Sequence, residues 1–343
     1  MEKTGVYITG DQGMLGKFIS RELWKSNKFT VLNEAVSMGL SSDVVKEYES
    51  DLHFINGTRV KRNEVDITDS KMVDQLERSL TAPNRDRALW IIHLAAWCGT
   101  DKCEADSFGA VNSNVIGTQN IIKMVKNINA KLIYFSTTAI NNPDEYMKPG
   151  CSPFNENAKI GPKTIYGLTK YAGELACRQS LNNSQLMVIK PVFIYGDAPH
   201  DNSSILRKIL QAIRTKQPLN VLLDRDYKKD YIRIEQFANM FATLLHAPIK
   251  DIFTDQRNDF VLCKGEPKPF GYYLDLIQDL TQHWRKNDCM YNYIGLHPEK
   301  DYLKDHVGHS KRFNELFPFY NHPYYDDVKS LMQVWRSLEE YYD

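Results

Sequence analysis

Tyr166-Gly167-Leu168-Thr169-Lys170 sets a phenol and an ammonium four residues apart, on one face if the segment is helical. A tyrosine near its ordinary pKa is a poor base at neutral pH. A neighbouring ammonium favours the phenolate and draws that pKa down. The pair is therefore a candidate proton-transfer site, although the same spacing also arises on plain surface helices. Upstream, the apolar run Leu132–Phe135 leads into Ser136-Thr137-Thr138. Small hydroxyls at the carboxyl end of a parallel strand lie where such sheets bind ligands. One of them can hydrogen-bond the oxygen that exchanges a proton with Tyr166. The alternative use of such a run is a turn or a helix cap.

A second motif lies near the start. Thr9-Gly10-Asp11-Gln12-Gly13-Met14-Leu15-Gly16 separates a short apolar strand from a helical pattern. Glycine is needed where the chain turns tightly and where its backbone touches a phosphate. The helix that follows offers free N–H groups and a positive dipole end to a pyrophosphate. Gly10, Gly13 and Gly16, with Met14 and Leu15 between them, thus read as a dinucleotide loop; an ordinary strand–helix turn is the plainer alternative. Lys170 then gains a second task, holding nicotinamide-ribose hydroxyls. Glu34, just past Thr30-Val31-Leu32-Asn33, stands where an acid would accept hydrogen bonds from the adenosine ribose and repel a 2′-phosphate. That leans towards NAD over NADP, unless Glu34 is an exposed loop acid.

The elements that must position these groups alternate. Strands are expected at Val6–Thr9, Phe29–Leu32, Trp90–Ala95, Lys131–Ser136 and Leu186–Lys190. Helices are expected over Met14 to Lys25, Asn114–Lys126 and Ile165–Ser180. The strands are nearly continuous apolar runs, as when both faces are covered. Right-handed crossovers give a doubly wound parallel (Rossmann) α/β sheet. After Pro191 the pattern loosens into a smaller C-terminal α/β domain. The expected division is 1–190, with a return segment near 232–263, for the dinucleotide-binding part, and 191–231 with 264–343 for the substrate part. Val36–Phe54 is the least regular stretch of the first half.

Composition narrows the partners. Lys+Arg and Asp+Glu are equal at 43 each in 343 residues, which gives no electrostatic footprint for nucleic acid or an anionic membrane. No apolar run spans a bilayer and no secretory leader is recognisable, so a cytoplasmic protein is expected. The six cysteines form no Cys-x-x-Cys pair and read as reduced thiols. No metal site is expected from the nine histidines. His93 reads as a structural residue at a strand end, and Trp97 as lining the substrate side.

Taken in order, Thr-Gly-x-x-Gly-x-x-Gly, Asp66-Ile67, His93-Leu94-Ala95-Ala96, Asn114-Val115-Ile116-Gly117-Thr118, Phe135-Ser136-Thr137-Thr138, Tyr166-x-x-x-Lys170 and Lys190-Pro191-Val192-Phe193-Ile194-Tyr195-Gly196 resemble the extended short-chain dehydrogenase/reductases. The resemblance covers roughly residues 4–240 and implies NAD or NADP as cofactor and a nucleotide sugar as substrate. It implies cofactor binding by Gly10, Gly13, Gly16, Asp66, Ile67, Ala95, Ala96, Lys170 and Pro191. It implies catalysis by Thr138, Tyr166 and Lys170, with Thr137 the fallback hydroxyl, and substrate contact at Asn114. Asp230-Tyr231-Ile232-Arg233-Ile234-Glu235 is similar to a family stretch in which the basic residue before the Asp often meets the substrate diphosphate, which makes Lys229 a substrate candidate. A homodimer is implied, through the helices bearing Asn114–Lys126 and Tyr166–Ser180.

Within the family, Ala139-Ile140 after Thr138 replaces the Asp-Glu of sugar-nucleotide dehydratases and argues against one. Gly13-Met14-Leu15-Gly16, Ala95–Glu104 and Ser152-Pro153-Phe154-Asn155-Glu156 resemble the 4-keto-sugar reductases of the dTDP-4-dehydrorhamnose reductase type. The expected activity is NAD(P)-dependent reduction of a 4-keto group on a nucleotide deoxysugar. A 4-epimerase that retains its NAD would use the same residues. A binding or regulatory subunit without catalysis is the reading of a different class.

Overall fold

The computed structural model of the chain describes residues 3–33, 54–55, 58–59, 65–81, 88–146, 153–196, 204–217, 219–221, 225–254, 256–284, 291–293, 307–321 and 326–342. The irregular stretch 36–53 and Glu34 lie outside these residues.

Six strands form the main sheet: β1 (Thr4–Thr9), β2 (Phe29–Val31), β3 (Leu89–His93), β4 (Lys131–Phe135), β5 (Leu186–Pro191) and β6 (Asp259–Leu262). Their order is β6-β5-β4-β3-β1-β2, and the pairings from β2 through β5 are parallel. All five expected strands are present, each within about two residues of its expected ends. The sheet is the doubly wound arrangement that the alternating pattern requires, and the reversal of strand order lies between β1 and β3. Among the described residues no helix is long and apolar enough to cross a membrane.

The chain divides into two compact units. The first comprises Met1–Ser136, Thr169–Ile189 and Leu245–Asn258; the second comprises Thr137–Leu168, Lys190–Leu244 and Asp259–Asp343.

In the first unit, α1 (Met14–Trp24), α2 (Ser70–Thr81), α3 (Thr118–Asn127) and most of α4 (Ile165–Ser180) surround the strands. One face of the sheet packs Tyr7, Ile91, Leu132 and Val188 against Val73, Leu76 and Leu80 of α2 and Ile121, Ile122 and Val125 of α3. Each such side chain, fully buried, stabilises the fold by about 1.5–3 kcal/mol. Phe29, Trp90 and Phe253 form a ring cluster. Beside it the Lys28 ammonium donates to the carbonyls of Leu245 and Ala247. The helix expected from Asn114 begins instead with a wide π-helical turn, Asn112–Gly117, and α3 proper starts at Thr118. Gly117 in this turn has Ile67 packed where its side chain would stand, 2.7 Å from an ideal Cβ. Wide turns of this kind recur at functional sites.

In the second unit, α5 (Ile205–Thr215), the main part of α6 (Ile234–His246), α7 (Phe270–Trp284) and α8 (Asp327–Tyr342) accompany short strand pairs. Ile194–Tyr195 pairs in parallel with Ile232–Arg233, and Lys228–Lys229 pairs antiparallel with Lys268–Pro269. Leu206, Ile209, Leu210 and Ile213 of α5 meet Leu331, Val334 and Leu338 of α8 in one core. The buried Glu156 carboxylate accepts the backbone N–H groups of Val261 and Arg312, which ties three distant segments together.

Candidate active site

The glycine loop belongs to the first unit and is closed by contacts that exclude side chains. Gly10 has φ +72°, and a Cβ there would lie 2.8 Å from the Ala95 nitrogen. A Cβ on Gly16 would lie 2.4 Å from the Gly10 carbonyl oxygen and 2.5 Å from Asp11 Cα, both backbone atoms. The Gly13 N–H donates to the Gly10 carbonyl. Helix α1 starts on this loop with no side-chain cap at Gly13 and no acid in its first turn. Its N–H groups and dipole are thus left for an anion. Loop, helix end and Ala95 together fit the pyrophosphate of a dinucleotide, and Met14 and Leu15 sit half-buried in the first helical turn.

Asp66 is exposed, and its Oδ1 accepts both the N–H and the hydroxyl of Thr68, a turn that fixes the segment before α2. Ile67 is buried against Gly117. Ala95, Ala96 and Trp97 are half-buried. The Trp97 backbone is held at both polar groups by one side chain. Asn114 Oδ1 accepts the Trp97 N–H at 2.7 Å, and Asn114 Nδ2 donates to the Trp97 carbonyl and to Thr169 Oγ1.

Helix α4 carries Tyr166 in its first turn and Lys170 in its second. Lys170 is 3% exposed, with its ammonium 4.4 Å from the centre of the Tyr134 ring, and the Tyr134 hydroxyl donates to the Lys170 carbonyl. Burial pushes the Lys170 pKa down to about 8, against the opposing pull of Cys98, Cys177 and Glu174. The group therefore stays mainly charged at neutral pH. Its folded pKa lies below its unfolded one, so between about pH 8 and 10.5 the unfolded chain holds more protons and stability rises with pH. Denaturant titrations of wild type and Lys170→Met across that window should show a gain for wild type that the variant lacks. Parallel curves would show that Lys170 titrates normally.

Tyr166, Thr137 and Thr138 belong to the second unit. Thr137 Oγ1 accepts the Ala139 N–H and caps the short 3-10 turn Thr138–Ile140, while Thr138 lies within that turn, buried. Gly167, next to Tyr166, has the Ala139 carbonyl oxygen 2.4 Å from an ideal Cβ position. The start of α4 thus presses on the very turn that bears Thr138. In the same unit Pro191 is half-buried, and the buried Lys190 pairs with Asp259 at 3.5 Å. The Lys229 ammonium is 5.4 Å from the Phe193 ring centre, and the residue is 2% exposed.

Comparison with known proteins decides the family. The sequence model of the RmlD substrate binding domain matches residues 4–252, well over half of the chain. The chain belongs to the RmlD substrate-binding-domain family. It is 30% identical over 141 residues to a dTDP-4-dehydrorhamnose reductase of Streptomyces griseus, which is 40% of this chain and 42% of that relative. It is 25% identical over 239 residues to a UDP-glucuronate 4-epimerase of Thermodesulfobacterium geofontis, 67% of this chain and 68% of the relative. The match thus spans less than half the length of the first relative and about two thirds of the second. Among solved structures, RMD from Pseudomonas aeruginosa complexed with NADPH superposes with a TM-score of 0.69 at 16% identity, covering 98% of this chain and 100% of that one. That likeness extends the agreement in fold to nearly the full chain.

For an RmlD-family chain, three features were not visible from motifs. Asn114 was expected to touch substrate. It is 1% exposed, and its amide bonds to the Trp97 backbone and to Thr169. Ser136, the first hydroxyl of the run, donates to the buried Glu174 at 2.6 Å, and Arg178 binds the other Glu174 oxygen through two nitrogens. The spacing Tyr166, Lys170, Glu174, Arg178 is the one available sequence signal for this arrangement. His93 bridges Thr9 at Nδ1 and Thr118 at Nε2. Glu34 lies outside the described residues.

Proposed function

We propose that this RmlD-family chain is an NAD(P)-dependent sugar-nucleotide oxidoreductase that reduces the 4-keto group of a nucleotide-linked deoxysugar. The observation that carries the reading is the seating of Gly167 on the Ala139 carbonyl, which sets the start of the Tyr166 helix against the turn that bears Thr138. The capping use of Thr137 supports Thr138 as the hydroxyl of the reaction.

A bound reduced nicotinamide supplies the hydride. Tyr166 gives its proton to the oxygen that gains charge as the carbonyl is reduced. The Thr138 hydroxyl donates a hydrogen bond to that same oxygen. Lys170 steadies the phenolate left behind through its charge, and its burial against Tyr134 keeps water from diluting the effect. Gly10, Gly13, Gly16, Ala95 and Ala96 are assigned to the cofactor, Trp97 to the sugar side, and Lys229 to the diphosphate. Glu34 favours NAD over NADP through the ribose hydroxyls.

The match to a UDP-glucuronate 4-epimerase over two thirds of the chain supports a second reading, 4-epimerisation with the same residues. A homodimer goes with either. In the first unit Phe108 is 81% exposed, and Val111, Ile116 and Leu175 are also exposed, an apolar set suited to a second copy. Sedimentation equilibrium should give twice the chain mass; a monomer at micromolar concentration would remove that part.

The function is tested with dTDP-, UDP- and GDP-linked sugars, each offered with NADH and NADPH. Oxidation of NADH only with a 4-keto sugar is the expected result. Interconversion of hydroxyl epimers without net oxidation would replace the reductase by the epimerase. Cofactor binding without turnover of any of them would leave a binding subunit.

A further inference from the structure

We infer that His93 is a positioning residue for the cofactor: a neutral imidazole, fixed in the Nε2–H form, that locks the post-β3 loop and the glycine loop to helix α3 before any ligand arrives. The inference rests on the NAD(P) reading for its consequence, but its geometry stands by itself, and every residue in it belongs to the first unit.

The direction of each hydrogen bond follows from proton counting. Thr118 Oγ1 donates its single proton to the Asn114 carbonyl at 2.8 Å. It therefore meets His93 Nε2, 3.1 Å away, as an acceptor, and Nε2 must carry a hydrogen. His93 is 1% exposed, and burial together with the nearby Lys170 charge drives its pKa down to about 3, so the ring holds only one N–H at neutral pH. Nδ1 is then a bare acceptor, and Thr9 Oγ1, 2.7 Å away, donates to it. Thr9 Oγ1 in turn accepts the Ala95 N–H at 3.2 Å. One chain of donors thus runs from the Ala95 amide through Thr9, His93 and Thr118 to the Asn114 carbonyl, with no bond reversed.

Both ends of this chain touch residues assigned to the cofactor. Thr9 immediately precedes Gly10, and Gly10 packs on Ala95. At the other end the Asn114 side chain holds both polar groups of the Trp97 backbone. Tyr134 flanks the imidazole, with ring centres 5.8 Å apart, and Lys170 is the charged group that faces it. Among the described residues the imidazole's hydrogen-bond partners are the hydroxyls of Thr9 and Thr118. A protonated His93 would place a second N–H against Thr9, which would have to turn its own proton away. The bridge therefore works in one protonation state only.

Two measurements on the 343-residue chain test this. In the first, 15N-histidine NMR resolves the tautomer, with the His93 signals assigned by their loss in His93→Asn. Expected is a bare Nδ1, a protonated Nε2 and no titration between pH 5 and 8. The opposite tautomer, or a titration near pH 6.5, would overturn the bridge whether or not the protein binds a cofactor. The second compares His93→Asn with His93→Gln by NADH fluorescence titration. Asparagine sets an acceptor where Nδ1 stood and keeps the tie to Thr9 and Ala95; glutamine sets its amide where Nε2 stood and loses that tie. Both variants should melt earlier. The Kd for NADH should rise about tenfold for the Gln variant and less than threefold for the Asn variant, as expected for one buried hydrogen bond. Equal weakening in both would reduce His93 to a purely structural residue. A wild-type protein that binds no NADH would refute the proposed function while leaving the tautomer result intact.

Discussion

Replacing Tyr166 with phenylalanine should lower kcat for the accepted sugar nucleotide by about 10²–10⁴-fold, the range for losing a positioned general acid. Cofactor affinity should stay within about twofold of wild type. The substitution removes one oxygen and keeps the ring, so the fit of Gly167 on the Ala139 carbonyl is untouched. Lys170, a turn further on and buried, keeps its place over Tyr134. What is lost is the proton that the developing alkoxide must receive, and the Thr138 hydroxyl, with its far higher pKa, is a poor substitute. The measurement is steady-state turnover beside NADH fluorescence titration. A Tyr166→Phe enzyme that turns over at the wild-type rate would overthrow the assignment of the acid, and an equal loss of cofactor binding would show that Tyr166 holds the cofactor instead.

The glycine loop gives the second large effect. In Gly16→Val the new Cβ meets the Gly10 carbonyl oxygen at 2.4 Å and Asp11 Cα at 2.5 Å. Neither is a flexible side-chain end, so the loop or the start of α1 has to move. Under the proposed function, a bound pyrophosphate would then lose hydrogen bonds to backbone N–H groups, each worth about 1.5–3 kcal/mol when charge is involved. Two such losses weaken cofactor binding by about 100-fold or more. The melting temperature should fall as well, because the clash exists without ligand. Gly13→Ala supplies the contrast. Its Cβ meets only the Gly10 carbonyl oxygen, at 3.3 Å. Stability should stay near wild type while NADH affinity drops, since the backbone there must approach the pyrophosphate. Calorimetry with and without NADH separates the two. If both variants melt and bind alike, the division of labour between these glycines is wrong.

The strands β1 to β5 were legible because each is a short, almost wholly apolar run, and burial on two faces leaves little choice of residue. The glycine loop was legible because backbone geometry, not side-chain chemistry, dictates glycine there. That Tyr166 and Lys170 share one helix was legible through local spacing. The rest depends on partners far apart in the chain. His93 meets Thr9 across 84 positions, and Asn114 meets Thr169 across 55. A histidine ending a strand and an asparagine entering a helix carry no mark of such partners. Asn114 reads as a substrate residue for that reason, and its hydrogen bonds to Trp97 and Thr169 appear only in the structure. The π-helical turn Asn112–Gly117 was hidden likewise, because a widened turn keeps a helical composition. Ser136 shows the same limit at closer range: a run of three hydroxyls does not reveal that the first serves Glu174 and the second caps a turn.

Glu174 bears on how the helix that carries Tyr166 and Lys170 can move. Successive residues of an α-helix are turned by about 100° about its axis, so a slip of one residue along the sheet would swing both groups away together. Smooth apolar packing resists such a screw motion weakly, because one leucine can replace another in the same groove. A buried carboxylate between the Ser136 hydroxyl at the end of β4 and the Arg178 guanidinium has no equivalent position one residue on. It acts as a dowel that fixes the rotational register of α4 against the strand, so the phase of the proton donor about the helix axis is set by a residue two turns away from it.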